Sequence, residues 1–302
     1  PFFVSVISNS DHWLFVSSSG GLTAGRVSPD TALFPYVTVD KIHESTEHTG
    51  SKTLLEINID NKTYNWEPFN RKHDREYSIN SNLYKNVLGN KLCFEETNED
   101  LQITFRYTWL TSEVYGFVRE CELINLSDQP VKVKLLDGLQ NILPASTPRH
   151  AQTNTSNLVD AYKWNELDEK THLAFFTLYS GITDKAEPCE SLKTNTVFCL
   201  GLEQPNILLS SEQLDDFRNG QPLVQEVHKR GIRGAYFVNT TLVLPAKASK
   251  QWQLVANVEQ SQSQAVALRK KLSNTDELLL AINTSIDNGS DELARIMAGG
   301  DA

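Results

Sequence analysis

Cysteine is sparse and unpatterned: Cys93, Cys121, Cys189 and Cys199 include no CxxC pair. That spacing argues against a zinc ribbon or a thioredoxin-type redox motif, and a chain of 302 residues does not need a disulfide framework to hold a core. The cysteines read as small hydrophobic residues, with Cys93 and Cys121 inside strands, so nothing requires an oxidising compartment and the cytoplasm is the expected location. No run approaches the roughly 18 apolar residues that span a bilayer, and Pro1-Phe2-Phe3-Val4-Ser5 lacks a basic leader. Positive charge is in deficit. Against 38 Asp and Glu stand 28 Lys and Arg, and the net charge of -10 opposes nucleic acid and anionic membranes as partners and favours a neutral ligand.

Catalytic motifs are missing as well. The glycine-rich stretch Ser17 to Arg26 lacks the Lys-Ser/Thr ending of a P-loop and the spacing of a dinucleotide fingerprint. His43 and His48 are five apart where a zincin helix needs four, and Thr49-Gly50 ends any helix there, so no metal is expected. Without a GxSxG elbow, or a cysteine beside a likely His base, acyl transfer has little support. No cofactor is expected. A glycosidase needs a carboxylic acid and usually a second carboxylate across the bond; Asp137, Asp160 and Glu166 are imaginable, but no motif singles one out and no catalytic residue is assigned.

What is present is dense β patterning. Leu101, Ile103, Phe105, Tyr107 and Trp109 alternate with Gln102, Thr104, Arg106 and Thr108, the period of two of a half-buried strand. Thr97 to Asp100 turns Lys91–Glu96 into it; Tyr115–Ile124 reads as covered on both faces, and Val131, Val133 and Leu135 continue the meander. Phe2–Ile7 with His12–Val16, Leu33–Lys41, Leu54–Ile59 with Thr63–Trp66, His172–Tyr179, Leu192–Leu200, Ala235–Leu244 and Gln251–Val258 add strands. Ser211 to Asn219 reads as a short helix capped by Ser211, and Asn70–Glu76 and Lys229–Gly234 as charged surface loops. After Glu259 the period becomes helical, with Ser273 and Asp276 patterned as a capping box and a third helix expected after Ser290. The expected architecture is all-β, a large antiparallel supersandwich over residues 1–259, followed by linker helices over residues 260–302.

The order "ITFRYTW…YGFVRECELINLSDQPVKVKLLDG", with "KRGIRGAYFVNTTLVLP" at Lys229–Pro245, resembles the N-terminal β-sandwich of the cellobiose phosphorylase-like family. That resemblance implies a galactose mutarotase-like supersandwich, linker helices, and a following toroid of helical hairpins that holds the catalytic acid. It implies a non-catalytic, carbohydrate-associated domain that shapes a sugar site and the oligomer, with a saccharide, the helical catalytic domain of the same parent chain and a possible homodimer as partners. On this expectation the chain is a piece of something longer. The alternatives are a free-standing mutarotase-like epimerase and a plain carbohydrate-binding or scaffold module; the first is disfavoured because His12, His150, His172 and His228 lie outside that family's Asn-His-x-x-Phe-Asn type of segment.

A sugar contact is expected in the longest break between strands, Leu143–Asn165, which gathers Arg149, His150, Asp160, Tyr162, Lys163 and Trp164. An aromatic face covers the apolar side of a pyranose while charged groups exchange hydrogen bonds with its hydroxyls.

Overall fold

The structure, a computed structural model, describes residues 1–182 and 191–300. Cys189 and most of the connection at Ser180 to Glu190 therefore lie outside the described residues. The chain opens with β1 (Phe3–Val6), β2 (His12–Ser17), β3 (Leu22–Arg26), β4 (Ala32–Phe34), β5 (Gly50–Ile59) and β6 (Lys62–Trp66). Next come β7 (Ile79–Lys85), β8 (Leu92–Asn98), β9 (Ile103–Ser112), β10 (Gly116–Asn125) and β11 (Val131–Ile142), then the helices α1 (Arg149–Asn154) and α2 (Ser156–Tyr162). After β12 (Lys163–Asp168), β13 (Leu173–Leu178), β14 (Lys193–Leu200) and β15 (Asn206–Leu208) lies α3 (Leu214–Arg218). The chain ends with β16 (His228–Arg230), β17 (Gly234–Leu244), β18 (Ser249–Ser261), α4 (Gln262–Lys271) and α5 (Thr275–Gly300).

The strands form three antiparallel sheets, ordered β1-β2-β3-β4, β16-β12-β13-β14-β18-β10-β9-β8-β7 and β15-β17-β11-β5-β6. This is an all-β sandwich. Alternation decides the faces: Phe105, Tyr107 and Trp109 of the nine-stranded sheet meet Leu14 and Leu22 of the four-stranded sheet and Leu55, Leu135 and Tyr236 of the five-stranded sheet in one buried cluster. Within that apolar layer Arg119 of β10 is fully buried. A buried guanidinium persists only if paired: its Nη1 donates to both carboxylate oxygens of Asp137 on β11 at 2.9 Å, and the Tyr107 ring centre lies 4.4 Å from its carbon. Trp252 on β18 donates its indole N–H to the same carboxylate at 2.7 Å. Asp137 thus ties the two layers together and is not free for catalysis. Beside it, a Cβ at Gly138 would lie 2.1 Å from the Tyr236 carbonyl, so only glycine lets β17 approach.

The helices lie outside the sandwich. Leu272, Leu278, Ile282 and Ile286 of the α4–α5 region pack on Leu110, Val118, Phe198 and Val255, the outward residues of the nine-stranded sheet. No helix among the described residues is long and apolar enough to cross a membrane.

Several local expectations change. The Leu33–Lys41 strand stops at Phe34, and a 3-10 helix follows over Val39–Ser45. Another 3-10 helix, capped by the Asn70 side chain, replaces the loop at Arg71–Arg75. The Leu143–Asn165 break folds into α1 and α2 and already enters β12 at Lys163. The short helix begins at Leu214, with Gln213 rather than Ser211 at its N-cap and no side-chain cap bond. The capping box forms at Ser261 and Gln264, where each side chain meets the other's backbone N–H, while Ser273 donates to the Lys270 carbonyl. The two later helical patterns are one continuous helix, because Asn288, Gly289 and Ser290 do not interrupt α5.

Candidate functional site

On β10 the inward positions are Phe117, Arg119 and Cys121, which leaves Glu120 and Glu122 on the outer face. Register brings Thr108 of β9 and Gln253 of β18 to either side of Glu120, and Arg106 and Gln251 to either side of Glu122. Helix α5 lies over this strip and contributes Leu279 and Asn283, and together they enclose an open cavity of about 430 Å³. Its lining is polar and apolar in about equal parts.

The two carboxylates differ in environment. Arg106 Nε donates to Glu122 Oε2 at 2.6 Å and Gln251 Nε2 to Glu122 Oε1 at 3.1 Å. Burial raises the Glu122 pKa, but hydrogen bonds from Ser249, Gln251 and Arg106 outweigh it and hold the carboxyl below its ordinary value. Glu120 goes the other way, pushed up by burial, with the Gln253 hydrogen bond only partly opposing the shift. Gln253 Nε2 donates to Glu120 Oε1 and to Asn283 Oδ1, each at 2.9 Å. Gln253 is only 6% exposed, and its Oε1 is a buried acceptor without a partner. The cavity therefore presents charged and amide groups, while Gln253 Oε1 stays sealed from solvent.

A second cavity, about 540 Å³, lies outside the five-stranded sheet beside α3, and Lys52, Gln140, Glu212, Arg218 and Arg233 contribute to its wall. It is larger, but the cations Lys52, Arg218 and Arg233 of its wall are paired with carboxylates. Glu67 binds Arg218 at 2.7 Å, Lys72 at 3.2 Å and Lys52 at 3.6 Å, and Arg233 reaches Asp160 at 3.4 Å. None of the buried side-chain atoms without a hydrogen-bond partner belongs to its wall.

The six residues expected around one sugar lie on three elements, two each on α1, α2 and β12. Arg149 begins α1, its backbone N–H bound to Asp30 at 2.7 Å and its guanidinium over Tyr36, and His150 is exposed beside it. Lys163 is buried and bonded to Asp160 at 2.7 Å. Trp164, next along β12, necessarily points to the opposite face, where it stacks on Tyr179 at 5.8 Å with Arg230 at 4.1 Å from its ring. Tyr162 is half-buried at the end of α2, its carbonyl accepting from the Tyr179 backbone N–H at 2.7 Å. The pleat sends Lys163 and Trp164 to opposite faces of β12, while Tyr162 and Trp164 both contact Tyr179. Among the other carboxylates considered, Glu166 lies beside His228 at 3.6 Å. Lys229 of the basic segment pairs with Glu212 and Glu226. Among the described residues no cluster of three or more His, Cys, Asp or Glu is arranged for a metal.

Comparison with known proteins reaches this chain through fold only. No protein-family model and no curated protein matches it. Among solved structures, a bacterial glucoamylase complexed with acarbose is 12% identical, with a TM-score of 0.55 over 97% of this chain and 36% of that one. The Slr1438 protein from Synechocystis sp. PCC 6803 is 10% identical, TM-score 0.47, over 86% of this chain and 96% of that one. A protein assigned as a kojibiose phosphorylase from the human microbiome is 12% identical, TM-score 0.43, over 97% of this chain and 34% of that one. The likeness to the glucoamylase is one of fold, and the chain spans 36% of its length.

Proposed function

We propose that the chain is a carbohydrate-associated β-sandwich domain, non-catalytic by itself, of a larger cellobiose phosphorylase-like protein, and that its saccharide site is the cavity between α5 and strands β9, β10 and β18. The observation that carries this reading is a cavity wall that brings Arg106, Glu120, Glu122, Gln253 and Asn283 together. Sugar hydroxyls both donate and accept, and such a wall offers partners of both kinds. A glucoamylase with this fold over 97% of the chain agrees with a carbohydrate association. In this proposal a helical domain of the parent chain supplies the catalytic acid.

Titration of the chain with glucose and cellobiose, followed by amide chemical shifts, tests the site. The expected affinity is about millimolar, equivalent to ~4 kcal/mol, with shifts confined to β9, β10, β18 and the adjoining turns of α5. Gln253→Ala should weaken it several-fold. An absence of shifts at saturating sugar counts against the proposal, and shifts centred on Trp164 and Tyr179 would move the site to the other end of the sheet.

A further inference from the structure

The strip of sheet that floors the cavity does not end at β9. Tyr84 of β7 pairs with Cys93 of β8, Cys93 with Thr108 of β9, and Thr108 with Glu120 of β10, so their side chains form one row across the outer face. A second row, two residues along each strand, runs from Asn82 through Glu95 and Arg106 to Glu122. The β9 and β10 members of both rows line the cavity, as does Cys93, while Tyr84, Asn82 and Glu95 carry the rows beyond its edge. Tyr84 is 52% exposed, and its hydroxyl donates to Glu95 Oε1 at 3.1 Å, which leans the ring over β8 and leaves part of it open to solvent. Arg106 bridges Glu95, at 3.6 Å, and Glu122, fixing both carboxylates, whose remaining lone pairs can accept from hydroxyls. An exposed aromatic ring beside ordered carboxylates suits the apolar face of a pyranose together with its hydroxyls. Three strand spacings separate β7 from β10, roughly 14 Å, and one pyranose does not cover both ends.

We propose that the ligand is an extended oligosaccharide lying across the strands, with one unit in the cavity beside Glu120 and another on the Tyr84 ring. The roughly 14 Å span calls for a chain of about three or more units. The proposal rests on the saccharide site described above and names its ligand class. A β-1,4-linked chain is straight and fits rows that cross the sheet at right angles to its strands.

Calorimetric titration of the full chain with glucose, cellobiose and cellotetraose tests it. Cellotetraose should bind about tenfold more tightly than glucose, or ~1.4 kcal/mol, and should shift the amides of residues 82–84 and 93–95, which glucose leaves in place. In Tyr84→Ala the cellotetraose-to-glucose ratio should fall to that of cellobiose to glucose, whereas Tyr84→Phe, which keeps the ring, should retain most of the gain. Unchanged thermal unfolding midpoints would confirm that both variants are folded. Equal affinity for all three sugars overturns the inference and leaves the saccharide site standing. Failure of all three to bind overturns both, and a gain with length that survives Tyr84→Ala, or that brings no shifts in β7 and β8, overturns the role assigned to Tyr84.

Discussion

Glu67 shows how one side chain concentrates pH sensitivity. It directly follows β6 and is 5% exposed. Burial alone would raise its pKa, but the hydrogen bond and charge of Arg218, with help from Asn70 and Lys52, lower it from the ordinary 4.5 to about 2. A folded-state pKa below the unfolded one contributes stability that is complete above 4.5 and is lost as pH falls towards 2. Urea unfolding across that window should show a decline in wild type that is shallower in Glu67→Gln, and parallel declines would remove Glu67 as the source. The same scale explains what was hidden in the sequence. Glu120, Glu122, Arg106 and Gln253 were visible as polar residues on strands, and the two glutamates interrupt the apolar face begun by Val118. Their convergence depends on the β9–β10 and β10–β18 registers, of which the second joins residues more than a hundred positions apart.

Among the elements, alternation made the β9–β10–β11 region legible, because its strands are long, half-buried and joined by short polar turns. Less was legible where competing rules met. Leu33–Lys41 is apolar enough for a strand, yet Pro35 cannot donate to a ladder and the chain leaves the sheet there. In α5 the Asn288-Gly289-Ser290 stretch looks like a break in local propensity, but tertiary contacts carry the helix through it: Ser290 accepts from Asn90 Nδ2 at 2.8 Å, and Asn9 donates to Glu292 at 2.9 Å. The sheet covers the apolar stripe of α5, leaving Leu280 68% exposed while Ile282 is fully buried. Ile282→Ala should therefore cost about 2–5 kcal/mol and Leu280→Ala no more than about 0.5 kcal/mol, measured as chemical-denaturation free energies. Similar losses at both positions would mean that α5 does not rest on the sheet through this face.

For the molecule as a whole, the binding proposed at the outer face is distinct from catalysis. Glycosidic cleavage places an acid on the departing oxygen and, in hydrolysis, a second carboxylate on the other side of the bond. Glu120 and Glu122 are two residues apart on one face of one strand, roughly 6.8 Å along it, so both approach a ligand from the same side. Glu122 is further held by Arg106 and Gln251, while Asp137 is locked to Arg119 inside the sandwich. The chain should thus bind sugar without cleaving it. Incubation with aryl β-glucosides, with and without phosphate, is expected to release no more phenol than buffer, under conditions where chemical shifts report the cavity occupied. Steady turnover that disappears in Glu120→Gln would instead make this domain an enzyme in its own right and the one-sided carboxylate pair its catalytic centre.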